Sequence, residues 1–144
     1  MAQFATIGLD GLQDVMNNIT KVPNDIKTEI LEGMGQVAVK YQRQSAKAML
    51  SGPDSTGLTS SSVTMTKVKL NADGGSTDVT FKGSRKREGH KKATRNAEIA
   101  FINEFGKAGQ PARPFIKKAN ESHADEINKA GADVYYKWLE ENWI

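Results

Sequence analysis

SSVTMTKVKLNADGGSTDVTFK, residues 61–82, is the stretch that decides the fold. From about Ser62 to Leu70, β-branched and apolar residues alternate with polar ones, which is the two-residue period of a half-buried strand. The apolar phase slips between Val63/Met65 and Val68/Leu70, so a bulge or local twist is expected there. Asn71 to Gly75 is turn chemistry, and Asp78 to Lys82 returns with Val79 and Phe81 on one face. The stretch reads as a β-hairpin.

Its flanks read as helices. Ile26, Ile30, Met34, Val37, Tyr41 and Ala48 recur at steps of three, four or seven and form one apolar stripe. Asn24 or Asp25 caps that helix, Lys47 lies near its end, and Ser51-Gly52-Pro53 stops it. A shorter pattern, Leu9, Leu12, Val15 and Ile19, predicts a helix from near Asp10 to near Lys21. Beyond the hairpin, Ile99, Ile102 and Phe105 suit a short helix, or a strand, closed by Gly106. Pro114 then opens a last helix to about Glu141, with Ile116, Ala119, His123, Ile127, Ala130, Val134 and Trp138 at near-regular spacing. Two long amphipathic helices on a small antiparallel sheet make an α+β domain. A chain of 144 residues is expected to form a single domain, 1–144, that buries roughly two-thirds of its unfolded surface.

There is no cysteine, which excludes a disulfide framework, a zinc ribbon and a thiol nucleophile, and fits a reducing compartment. No stretch approaches the roughly 20 apolar residues that span a bilayer, and Met1 to Asp10 lacks the pattern of an export signal. The expectation is a soluble, non-exported chain without a membrane partner. The charge is uneven. Lys82, Arg85, Lys86, Arg87, Lys91, Lys92 and Arg95 face one acid, Glu88, so residues 82–95 carry +6 in a chain of net +3. With Gly83 and Gly89 inside it and Ala93 its one apolar residue, this stretch reads as an exposed basic loop at the end of the hairpin.

Few residues suggest catalysis. Gly33-Met34-Gly35-Gln36-Val37-Ala38 matches a loose dinucleotide pattern, but it lies in mid-helix, where the small residues serve close packing. His90 and His123 lack metal-ligand spacing, and His123 reads as a boundary residue of its helix. No nucleophile-base pair is visible. No enzyme and no cofactor are expected. The basic stretch can neutralise phosphates, which makes a small nucleic-acid-binding protein the alternative function, although it holds no aromatic residue for stacking on bases. It can also dock on an acidic neighbour, for which the region of Glu121, Asp125, Glu126, Asp133, Glu140 and Glu141 in a second copy is a candidate.

The most specific segment is Asn103-Glu104-Phe105-Gly106, followed by Gln110-Pro111-Ala112-Arg113-Pro114-Phe115-Ile116. Pro111 and Pro114 hold Ala112-Arg113 in an extended elbow. Phe105 and Phe115 are expected to pack across it, and Arg113 to pair with Glu104.

This "EFG" with a downstream "PARPFI" and a following long helix resembles a family of tailed-phage proteins, the head-tail joining or tail-completion components of siphophages, also described as minor tail proteins. Gly8-Leu9-Asp10-Gly11-Leu12 and Ser55-Thr56-Gly57-Leu58 add upstream matches, so that the resemblance runs in order from about Leu9 to Ala119. It implies a structural virion protein without turnover. Such a subunit forms a ring, usually a hexamer, between the head connector and the tail tube, located in the tail or neck of the virion and in the host cytoplasm during assembly. The partners so implied are further copies of the chain, the connector and tail-tube proteins, and the DNA end or a tape-measure protein in the lumen. Trp138, Leu139, Trp143 and Ile144 are candidate anchors between copies.

Overall fold

Helix periodicity over residues 24–49 and strand alternation after residue 62 meet in one layered arrangement. The computed structural model describes residues 5–8, 22–50, 56–71, 74–87 and 89–142. Its elements are β1 (Ala5–Gly8), α1 (Asn24–Met49), α2 (Leu58–Ser62), β2 (Val63–Met65), β3 (Lys69–Asn71), β4 (Gly74–Phe81), β5 (Ser84–Arg85), β6 (Thr94–Arg95), α3 (Asn96–Phe105) and α4 (Phe115–Asn142). The fold is α+β, with long helices on a small antiparallel sheet. The helix expected near residues 10–21, and Trp143 and Ile144, lie outside the described residues.

β4 is the central strand. β1 pairs along one edge, from Ala5↔Val79 to Gly8↔Ser76, and β2 and β3 share the other. The slip in apolar phase has its expected counterpart. Met65 faces Val79 while Lys69 faces Ser76, so residues 66–68 stand opposite only 77 and 78. This bulge is internally satisfied: the Thr66 amide donates to the Asp78 carbonyl at 2.8 Å, the Asp78 amide to Thr66 Oγ1 at 3.0 Å, and the Thr77 hydroxyl to the Thr66 carbonyl at 2.7 Å. β4 starts earlier than Asp78 because Gly75 lacks a side chain. A Cβ there would lie 2.6 Å from the Lys69 carbonyl oxygen, so glycine lets β3 approach and extends the ladder to Gly74.

α1 and α4 run antiparallel, as their contacts require. Ser45 meets Phe115, Gln42 meets Asn120, Tyr41 stacks on His123, and Ile30 and Met34 meet Gly131. The glycine pair of the dinucleotide-like pattern serves packing, as expected from its place in mid-helix. Gly35 is buried where a Cβ would lie 2.8 Å from Met65 Sδ, and Gly33 faces Ala130 and Val134 of α4. His123 sits at a kink of α4 (φ −125°), half-buried, with its ring 3.6 Å from that of Tyr41.

Two apolar clusters result. One gathers Val63, Val79, Phe81, Ala97, Ala100, Phe115 and Ile116 where α1, the sheet, α3 and the start of α4 meet. The other gathers Val22, Ile30, Leu31, Met34 and Tyr135 at the far end of the helix pair. Trp138 and Leu139, expected as anchors between copies, are half-buried against this second cluster of their own chain. Among the described residues, no helix is long and apolar enough to cross a membrane.

Candidate docking groove

The basic run is not a plain loop. Its two ends zip into the β5–β6 ribbon, with Ser84 opposite Arg95 and Arg85 opposite Thr94, and Asn96 locks the base. The Asn96 side chain donates to the Lys82 carbonyl at 3.0 Å and accepts from Arg85 Nε at 2.8 Å, while its amide donates to the Gly83 carbonyl. Arg85 corrects the expectation that the whole stretch stands in solvent. Its guanidinium is half-buried and also donates to Thr56 Oγ1 at 3.1 Å and Thr59 Oγ1 at 2.6 Å. Every side-chain nitrogen of Arg85 thus has an acceptor, so the ribbon is fastened to α2. Burial, and then the nearby Arg87 charge, pull the Arg85 guanidinium below its ordinary value.

The elbow differs from expectation in two ways. Glu104 does not pair with Arg113; its carboxylate is buried and accepts from the backbone amides of Ile116 (2.8 Å) and Lys117 (3.0 Å). A carboxylate across the first turn of α4 meets amides that have no partner within the helix, and it complements the helix dipole. Arg113 turns instead to Asn103 Oδ1 at 2.7 Å and toward the Met49 carbonyl at 3.5 Å. Nor do Phe105 and Phe115 pack across the elbow. Phe115 is fully buried edge-on to Phe81, whereas Phe105 is 63% exposed beside Phe101. The reason lies in α3, which turns Ala97, Ala100, Asn103 and Glu104 inward. Small alanines allow close approach to the sheet, and the two polar residues are needed inside to hold the elbow and α4. The expected role of Gly106 holds. It closes α3 at φ 76°, and a Cβ would lie 2.8 Å from the Ala112 amide nitrogen. Pro111 and Pro114 are exposed on the extended stretch that follows.

Ribbon and elbow, far apart in sequence, wall one groove of about 740 Å³ together with the end of α1, with α2 and with α3. Its floor is apolar: Ala46, Leu50, Leu58, Ile99 and Ile102. Its rim is cationic: Lys47, Arg85, Lys86, Arg87, Lys107 and Arg113, with no carboxylate among the described lining residues. Lys82, Lys91, Lys92 and Arg95 do not line it, and Arg95 pairs with Glu98 at 3.1 Å. Sequence reasoning missed the share of Lys47, Leu50, Leu58 and Lys107, because only the fold brings them together. Asn96 carried a local signal, an Asn between a charged run and an apolar one, but that pattern reads as a helix cap and not as a ribbon lock. An apolar floor with a cationic rim can hold an amphipathic segment that carries acids beside its apolar residues, or phosphates along the rim.

The chain matches no known protein-family model, no curated protein and no solved structure.

Proposed function

We propose that this chain is a structural virion protein, a tail-completion or head-tail joining subunit of a siphophage. In this reading it assembles as a ring, a hexamer by the resemblance, between head connector and tail tube through protein-protein contacts. The observation that carries the reading is the elbow: within the segment of the family resemblance, Glu104 caps α4, and Lys107, Gln110 and Arg113 line the groove. A preformed docking face suits a subunit whose work is binding, and the reading involves no turnover and no cofactor. Mass analysis of purified virions tests it. The protein is expected in the particles, and its deletion is expected to leave heads and tails unjoined; absence from particles, with normal virions in the deletion mutant, overturns it. Replacing Lys86, Arg87, Lys91 and Lys92 with Ser while sparing the anchored Arg85 is expected to impair joining without unfolding the chain.

A second reading, a small nucleic-acid-binding protein that uses the 82–95 ribbon, is favoured by the cationic rim. Titration of DNA binding with salt separates the two. An affinity whose logarithm falls with log salt by roughly 0.9 per phosphate contacted supports this second reading. No binding at low salt rejects it.

A further inference from the structure

The groove has a counterpart at the opposite end of the same molecule. Tyr136 is 52% exposed on the outer side of α4. Asp133 precedes it by three residues and Glu140 follows it by four, so the three share one stripe of the helix, an aromatic knob between two exposed carboxylates. The rim offers the inverse pattern. Lys47, Lys86, Arg87 and Lys107 are exposed and enter none of the ion pairs among the described residues, and they stand around apolar Leu50, Leu58 and Ile102.

We infer that the groove receives the Asp133-Tyr136-Glu140 stripe of a second copy of this chain, in a head-to-tail contact. The inference rests on the reading of the chain as a self-assembling subunit and names the surfaces it would use. One copy cannot fill its own groove. The elbow that walls the groove leads into Phe115, and Tyr136 lies 21 residues further along α4, which is about 30 Å of helix. Two different surfaces at opposite ends make a heterologous contact, the type that closes into a ring when the rotation between copies allows it. The aromatic ring covers the apolar floor while the acids meet the rim. Asp133 already pairs with Lys129 at 2.9 Å on the surface, and an exposed pair of this kind is readily exchanged for a stronger one. A phosphate backbone would satisfy the rim but leave the floor uncovered, and the described lining residues include no aromatic side chain for stacking on a base.

The test uses two variants of the full chain, a groove variant (Lys86→Glu with Arg87→Glu) and a stripe variant (Tyr136→Ser with Glu140→Lys), followed by analytical ultracentrifugation. All four residues are exposed, and circular dichroism verifies folding; if the groove variant fails to fold, Lys107→Glu replaces it. Wild type is expected to associate with rising concentration, and each variant alone at least about tenfold more weakly. An equimolar mixture is expected to form a dimer and nothing longer, because one partner keeps an intact groove and the other an intact stripe. A wild type that stays monomeric, variants that associate like wild type, or a mixture without dimer overturns the inference. So does salt-dependent DNA binding that the groove variant loses while both variants still associate normally. Assembly in this manner by a protein absent from virions would leave the contact standing and remove the phage role; a virion protein that fails the mixing test would do the reverse.

Discussion

At the groove end of the α1–α4 pair, distant segments are joined by directed polar bonds. Ser45 donates to the Phe115 carbonyl at 2.7 Å, Glu104 accepts two amides of α4, Arg113 grips Asn103, and Arg85 with Asn96 fastens the ribbon. At the other end, Ile30, Leu31 and Met34 meet Gly131 and Tyr135 through carbon and sulfur. Apolar packing is strong but non-directional, whereas hydrogen bonds fix angles. The groove end thus adds angle-setting contacts to its own apolar cluster, whereas the far end is held by packing.

The widest separation of the two ends is expected from Ile30→Ala. Ile30 is fully buried and lies beside Gly131, so truncation leaves a cavity and is expected to cost about 2–5 kcal/mol. Chemical denaturation measures this. The cavity lies far from the groove, so the native fraction is expected to retain the groove's binding behaviour. A stability loss well below that range, or an equal loss of groove function, would remove the distinction between the ends.

A smaller loss of stability with a larger loss of shape is expected at Glu104. Glu104→Ala removes the acceptor for the amides of Ile116 and Lys117 and is expected to cost about 1–2 kcal/mol, as for other helix caps. Glu104→Gln keeps one acceptor and is expected to recover part of that. Amide hydrogen exchange at Ile116 and Lys117 is the sharper readout: both amides are expected to exchange faster in the Ala variant while the amides of α1 near Ile30 keep their protection. Uniform loosening of the whole chain would mean that the elbow is an ordinary part of the core.

The contrast between the ends also explains what could be read from sequence. The start of the α1 stripe, Ile26 to Met34, the phase slip of residues 63–70 and the closing Gly106 are local patterns with their expected place in the fold, whereas beyond Met34 the buried face of α1 runs through Ala38, Gln42 and Ala46 and leaves Ala48 exposed. The residues that differ from expectation sit at the junction of α3 with α4, where the pattern of either helix alone does not choose their partners. Glu104 and Arg113 are near neighbours of opposite charge, yet the unpaired amides that α4 opens nearby take the carboxylate. Two phenylalanines flanking the elbow suggest a pair across it, yet α3 turns Ala97, Ala100, Asn103 and Glu104 inward and leaves Phe105 exposed. The groove itself was beyond such reading, since α1, α2, the ribbon and the elbow each supply only a few of its residues.

The smallest effect belongs to the far end and appears in alkali. Burial, and secondarily the neighbouring Tyr136, raise the Tyr135 phenol above its ordinary value, because a phenolate would lose its hydration among Ile30, Met34 and Trp138. The sign follows from proton counting. Just above pH ~10, the ordinary value for Tyr, the unfolded chain has released this proton while the folded chain keeps it. The contribution of Tyr135 is therefore full below that value and is lost as the pH rises through the higher folded one. Tyr135→Phe removes the titrating group and keeps the ring, so the variant is expected to lose stability less steeply than wild type across that window. The difference between the two denaturation profiles isolates the contribution of Tyr135. Parallel profiles would mean that water reaches the phenol, and the far end would then be less dry than a cluster held by packing requires.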